Sequence, residues 1–325
     1  MATSATIKYI GLALLLAVAI VAPHVFYPVL LMNALCFALF ASAFNLLLGY
    51  TGLLSFGHAA FFATAAYLTG HLVKQYHFGP GLGIVTGTLA AAALGFLIGS
   101  LVVRRQGIYF SMITLAMAQL MYFIYLESSF TGGEDGLQAI PRGRLLWFIN
   151  LESDRTLYYV VLAIFLFGIF IVWRTIHSPF GQVLKAIREN EARAISLGYD
   201  VNRYKVLAFV ISAALAGLAG ATKALVFTFV TLTDADWHTS GEVVLMTLLG
   251  GMGTVAGPVV GAFAIVTLEN ELSDKVGSFV TVIIGAIFVV CVLLFRRGVV
   301  GEIAALYRRV VGVRKLKSLQ RASQR

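Results

Sequence analysis

The chain has 325 residues, 59% hydrophobic and only 12% charged, with a mean hydropathy of +0.89. A soluble domain carries about 25% charged residues, whereas long uncharged runs recur here at the roughly 20-residue length that spans a bilayer as a helix. Soluble enzymes and soluble binding modules are thereby excluded, and the expected fold is all-α: a polytopic membrane protein of about 8–10 transmembrane helices.

The net charge of +9 is not a nucleic-acid signal. The N-terminus, Arg104–Arg105, residues 174–205 and the tail from Arg296 hold 18 of the 24 Lys and Arg but only 4 of the 15 Asp and Glu, a net of +14. The remaining segments hold 6 basic and 11 acidic residues, a net of −5. This is the positive-inside pattern, which puts the basic segments in the cytosol. The basic tail 296–325 is also drawn to anionic membrane lipid. Cys36 and Cys291 lie inside apolar runs and read as small buried hydrophobes.

In chain order, the first apolar run is Tyr9 to Val21. It contains Ala17-Val18-Ala19, similar to a signal-peptidase site. Apolar character resumes at Val25, Phe26 and Val29, so a retained first span is expected. Further runs cover 29–48, 53–73, 82–103 and 107–126. Glu127 to Thr156 is polar, with Gly132, Gly133 and Gly136, and belongs outside. Its TGGEDGLQAIP stretch (Thr131 to Pro141) could bind calcium, face an outside partner or be a solvated turn, and it lacks the ligand spacing of an EF-hand. A run at 157–173 leads into the charged segment 174–205, and others follow at 206–226 and 276–295.

Within 174–205, Val183, Leu184, Ile187, Ala194 and Ile195 fall on one helical stripe. Asn190 and Glu191 interrupt that stripe, and Gly198 is placed to stop the helix. Such a half-apolar helix is either a protein-docking element or a helix lying on the lipid surface. Lys223, about 27 Å beyond Lys205 along a helix, falls near the outer interface, where snorkelling would serve it.

Ser240 to Asn270 is the least regular membrane segment. Two short apolar arms flank GGMGTVAGP, and acidic residues (Asp234, Asp236, Glu242; Glu269, Glu271, Asp274) lie on both sides. With both flanks outside, each arm of about 13 residues falls short of the roughly 17 needed to span, and a broken or re-entrant pair is expected. A second glycine-punctuated stretch runs from Gly49 to Phe62. Paired interruptions of this kind point to a transport pathway, with Gly52, His58, Gly250, Gly251, Gly253 and Gly257 as its candidate residues. His58 could line a polar path but reads more readily as a hydrogen-bonded structural histidine. Small residues every four positions, at Gly83, Gly87, Ala91, Gly95 and Gly99, at Ser212, Ala216, Gly220 and Ala224, and at Gly253, Gly257 and Gly261, mark close helix contacts.

The chain carries no phosphate-binding Gly-x-x-x-x-Gly-Lys-Ser/Thr loop, no His-Glu-x-x-His and no Cys-x-x-Cys. No cofactor, metal site or catalytic activity is expected. A self-contained secondary transporter would need a buried ionisable relay, and the span centres carry almost no ionisable residues. An intramembrane enzyme would need clustered His, Asp or Glu at one depth.

FNLLLGYTGLLSFGHAAFFATAAYLTG, QGIYFSMITLAMAQ, TGGEDGL, the 180–205 segment, LAFVISAALAGLAGA and LLGGMGTVAGPVVGA, in this order, resemble the permease subunits of bacterial branched-chain amino acid ABC transporters, and the LivM type more than the LivH type. The resemblance runs from about Asn45 to Phe295. It implies one multi-pass permease domain in the bacterial inner membrane, paired with a second, LivH-type permease, cytosolic ATPase subunits and a periplasmic solute-binding protein. It also makes the segment with Ile187, Glu189, Asn190, Glu191 and Gly198 the ATPase-coupling element. Urea and short-amide permeases share the pattern, so the solute stays open between these classes.

Overall fold

The computed structural model describes residues 17–145, 149–294 and 298–302. Most of the first apolar run, the Cys291 side chain and the basic tail apart from 298–302 lie outside the described residues.

Helix α1 (Pro28–Thr51) starts on a proline, which needs no backbone donor at that position. It ends at Gly52, whose left-handed backbone (φ 76°) turns its N–H back onto Leu48 O. Helix α2 (His58–Gln75) begins later than the run at 53–73 suggested. The intervening backbone is held in irregular form instead: Phe56 N donates to Thr114 Oγ1 and Gly57 N to Ser55 Oγ. Helices α3 (Pro80–Val102), α4 (Ile108–Glu127) and α5 (Asp154–Ile176) follow, the last two separated by a loop with a short antiparallel hairpin, Arg144–Leu145 with Ile149–Asn150. Two short helices, α6 (Pro179–Glu189) and α7 (Glu191–Ser196), lead into α8 (Val201–Phe227). Then come α9 (Trp237–Gly250), α10 (Gly257–Val276) and α11 (Val280–Leu294).

Among the described residues, α1, α3, α4, α5 and α8 are long and apolar enough to cross a membrane. Helix α1 is apolar on all sides and is accordingly central, with Phe40, Phe44, Leu46 and Leu47 fully buried. By contrast α3, α4 and α5 expose Leu89, Phe96, Phe123, Phe167 and Phe170, the outward apolar surface a lipid-facing helix presents. The protein is an all-α, multi-pass membrane protein.

The small-residue stripe of α3 is a contact face within the chain. A Cβ on Gly87 would lie 2.7 Å from Ala65 O of α2, and one on Gly95 would lie 2.4 Å from the Ala213 Cβ of α8. On α8, Gly220 lets the α2 backbone approach so closely that a Cβ there would sit 2.0 Å from Phe62 O.

The helices alternate between two ends. One end carries Gly52, Arg104–Arg105 and the α6–α7 segment, and is called the basic end here. The other carries the 128–153 loop and the 228–236 connection, joined where Leu137 and Val230 exchange backbone hydrogen bonds of 2.9 and 2.8 Å.

Helices α9 and α10 form a tight antiparallel hairpin: a Cβ on Gly250 would fall 1.8 Å from Gly257 O, and one on Gly261 would fall 1.8 Å from Met246 O. At 14 residues, α9 is about 21 Å long, too short for the ~30 Å hydrocarbon core, as expected. The second arm is longer than expected, 20 residues instead of about 13, because the helix continues past its apolar part through Glu269 and Glu271. Gly253 departs from the third small-residue stripe. It lies in the turn with φ 78°, and the helical contact is made by Gly250, Gly257 and Gly261.

Candidate coupling segment and broken segment

Ser178 opens α6 by accepting from Gly181 N, with Pro179 at the first helical position. The helix ends at Asn190, whose extended backbone (φ −157°, ψ 100°) breaks the segment. The same residue then caps α7, its Oδ1 accepting from Arg193 N at 3.0 Å. The single helix expected across 183–195 is therefore two, and Asn190 is the corner between them. Gly198 has φ 86° with open space around its Cα, so its left-handed backbone, not crowding, calls for glycine there.

The break redistributes the apolar stripe. Leu184, Ile187 and Ala194 are buried inside the chain, Ile187 and Ala194 packing with Val201, Val183 and Tyr204. Ile195 does not join them. It is 58% exposed, beside Leu197 at 68% and Tyr199 at 40%. Glu191, expected to need a basic partner, finds one in its own chain: Lys205 Nζ lies 2.6 Å from Glu191 Oε2, with the lysine side chain 3% exposed. The pair anchors α7 to the base of α8. The surface left open includes Arg188, Glu189, Asn190, Ala192, Arg193, Ile195, Leu197, Gly198 and Tyr199.

The α9–α10 turn is seated on the last two turns of α1. The Asn45 amide clamps it from both sides, Nδ2 donating to Thr254 O at 2.8 Å and Oδ1 accepting from Gly253 N at 2.8 Å. Tyr50 Oη donates to Gly253 O at 2.9 Å. Backbone groups that leave the helix ladder need such partners, and here the side chains of α1 supply them. Gly49 permits the approach, since a Cβ there would lie 2.7 Å from Gly253 N. Gly250, Gly251 and Gly257 are buried, Gly251 at φ 119°, so these glycines shape the hairpin and its turn. Gly52 borders a groove of about 470 Å³ between the α1–α2 connection and the start of α4.

His58 is fully buried among Phe44, Phe61 and Phe209, with ring centroids 5.3 to 6.0 Å away. Its Nε2 is 2.8 Å from Ser212 Oγ, and that hydroxyl donates to Ala43 O at 2.5 Å. The hydroxyl proton being spent on Ala43, the His58 Nε2 carries a hydrogen and donates it to Ser212. The structure places this histidine in a packed junction of α1, α2 and α8, and Gly52 at a groove.

Lys223 does not snorkel. It pairs with Asp234, and its Nζ lies 5.4 to 5.6 Å from the ring centroids of Phe37, Phe62 and Phe227. Sequence reading missed Arg188 and Asn45. Arg188 Nη1 donates to Gly49 O, linking α6 to α1. A polar residue in the last turns of an apolar helix, as Asn45 is, was the available signal for the second.

Residues 29–293 match the family described as the branched-chain amino acid transport system / permease component. The chain belongs to this family. It is 32% identical over 276 residues to the high-affinity branched-chain amino acid transport system permease protein LivM of Escherichia coli K12, covering 77% of this chain and 64% of that protein. The LivM of Salmonella typhimurium LT2 matches to the same extent. A probable LivM of Methanocaldococcus jannaschii is 24% identical over 263 residues, 69% of this chain and 75% of its own. No solved structure matches.

Proposed function

We propose that this chain is a translocating permease subunit of a bacterial inner-membrane ABC importer for branched-chain amino acids. Its partners in this reading are a second, LivH-type permease, cytosolic ATPase subunits that hydrolyse ATP, and a periplasmic binding protein that selects the solute. The family and the names of the relatives support the solute class. The absence of a phosphate-binding loop supports a separate ATPase. The observation that carries the reading is the open face of α6–α7 at the basic end: Glu189, Asn190, Ile195, Leu197 and Gly198 form the docking surface, while Ile187 and Glu191 hold it in place from behind. The broken α9–α10 segment, with Gly250, Gly251, Gly253 and Gly257, and the groove at Gly52 belong to the pathway in this reading; His58 braces the helices around it.

Exposed apolar residues on a polar-rimmed patch are what a partner groove takes up. Ile195→Asp and Leu197→Asp, which disturb no internal packing, should release the ATPase from the purified complex and abolish uptake while membrane insertion stays normal. Co-purification, solute-stimulated hydrolysis and uptake of leucine, isoleucine and valine against urea and acetamide are measured together. Retained ATPase and uptake in both variants would refute the docking surface, and uptake of amide alone would refute the solute.

A further inference from the structure

The last turn of α1 is gripped from two sides. From α6, Arg188 donates to Gly49 O, and Lys185 Nζ stands 5.7 Å from the centroid of the Tyr50 ring. From the membrane side, the α9–α10 turn is held by Asn45 and Tyr50. Gly49 O is one of the carbonyls that a helix end leaves without an intrahelical partner, and it lies at the negative end of the helix dipole, where a cation is favoured. Arg188 answers both needs. It also reaches the turn itself: a Cβ built on Gly253 would lie 3.5 Å from Arg188 Nη1, and one on Gly52 would lie 3.3 Å from Arg188 Cγ. The α6 helix, one turn of α1 and the break between α9 and α10 thus meet around one guanidinium.

We propose that Arg188 is the positioning residue through which α6 moves the α9–α10 turn, so that displacement of the coupling segment is delivered to the broken membrane segment by way of Gly49 and Tyr50. The inference rests on the importer reading above. Its physical basis is that coupling needs an element held by both sites. Here α1's last turn is bonded to α6 on one side and to the turn on the other. The α6 bond is a charge-assisted one, and such bonds are the stronger kind. Arg188 is exposed and adjoins Glu189 of the docking patch, but its Nη1 reaches back to Gly49 O, away from Ile195 and Leu197, so the test reads docking and transmission separately.

The test uses the assembled complex in a background with Cys36 and Cys291 replaced by alanine and a single reporter, Met252→Cys, at the 46% exposed residue of the turn. With Arg188 present, the rate at which a thiol reagent labels residue 252 should differ between nucleotide-free complex and complex trapped with a non-hydrolysable ATP analogue. Arg188→Ala should keep its ATPase and its nucleotide-free labelling rate, lose the nucleotide-dependent change, and move roughly fivefold or more less solute per ATP hydrolysed, the lower edge of ordinary coupling between sites. Tyr50→Phe, which removes only the hydroxyl bond to Gly253, should shift both readouts in the same direction and serves if Arg188→Ala does not fold. A residue that merely stabilised the fold would lower yield without touching the nucleotide dependence. Wild-type nucleotide dependence and wild-type stoichiometry in both variants would overturn the proposal. So would a parent complex that transports normally with no labelling change at residue 252, an outcome that leaves the importer reading intact. Failure of the parent chain to bind any ATPase would overturn both.

Discussion

Lys223 and Asp234 show how a charge survives inside an apolar helix bundle. Their side chains are 18% and 8% exposed, and Asp234 also accepts from Thr231 N at 3.3 Å as part of a capping box. Removing one partner strands the other, and breaking a buried pair costs about 3–5 kcal/mol, whereas removing both can be close to neutral. Lys223→Met should therefore lower thermal stability in detergent sharply, and Lys223→Met with Asp234→Asn should recover most of the loss; equal melting temperatures for Lys223→Met and wild type would refute the pairing. The sequence showed Lys223 as an oddity near the outer interface but not its partner. Asp234 comes eleven residues later, after a connection in which Thr228 adopts φ 62°, and no periodicity predicts a return of that shape. Glu191 and Lys205 were hidden in the same way. The left-handed Gly198 folds α7 back on α8, turning a pattern that looked outward into an internal ion pair.

The helices themselves were legible wherever apolar length decided them. The four-residue spacing on α3 identified a contact face, because that period returns side chains to one side of a helix. It could not say which neighbour the face meets. The structure divides the stripe: Gly83 and Gly87 lie on α2, while Ala91, Gly95 and Gly99 lie on Gly217, Ala213 and Phe209 of α8. Two substitutions separate the kinds of contact. Gly95→Ala collides only with the Ala213 methyl, so overpacking of about 1–3 kcal/mol is expected, and adding Ala213→Gly should relieve it. Gly220→Ala meets the Phe62 carbonyl, which no side-chain change can move, and should be worse than Gly95→Ala with no such rescue. Thermal unfolding of these three variants against wild type decides this, and rescue failing for Gly95→Ala would mean that α3 and α8 do not meet at that pair. The break at Asn190 was not legible, since Asn within a charged helix is ordinary. Only its double duty, ending α6 and capping α7, distinguishes it.

For the molecule as a whole, charge distribution carries the orientation and the broken segment carries the departure from a simple bundle. The expected hairpin at 240–270 followed from a length argument joined to a charge argument: acidic flanks on one side, arms too short to cross. The first arm obeyed it. The second exceeded it because a helix need not end where its apolar residues do, and the polar turns of α10 extend beyond the apolar stretch. Orientation is set by the net +14 of the basic segments against −5 elsewhere. The fold places Arg104, Arg105 and the α6–α7 segment at one end, with Glu134 and Asp135 at the other, so fold and charge divide the molecule along one axis. In the cysteine-free background, Glu134→Cys and Ala192→Cys sit on exposed residues at opposite ends. A membrane-impermeant thiol reagent added to intact cells should label position 134 and leave position 192 untouched until the membrane is opened. Labelling of both from outside, or of position 192 alone, would invert or dissolve the topology, and the α6–α7 face would then have no access to a cytosolic ATPase.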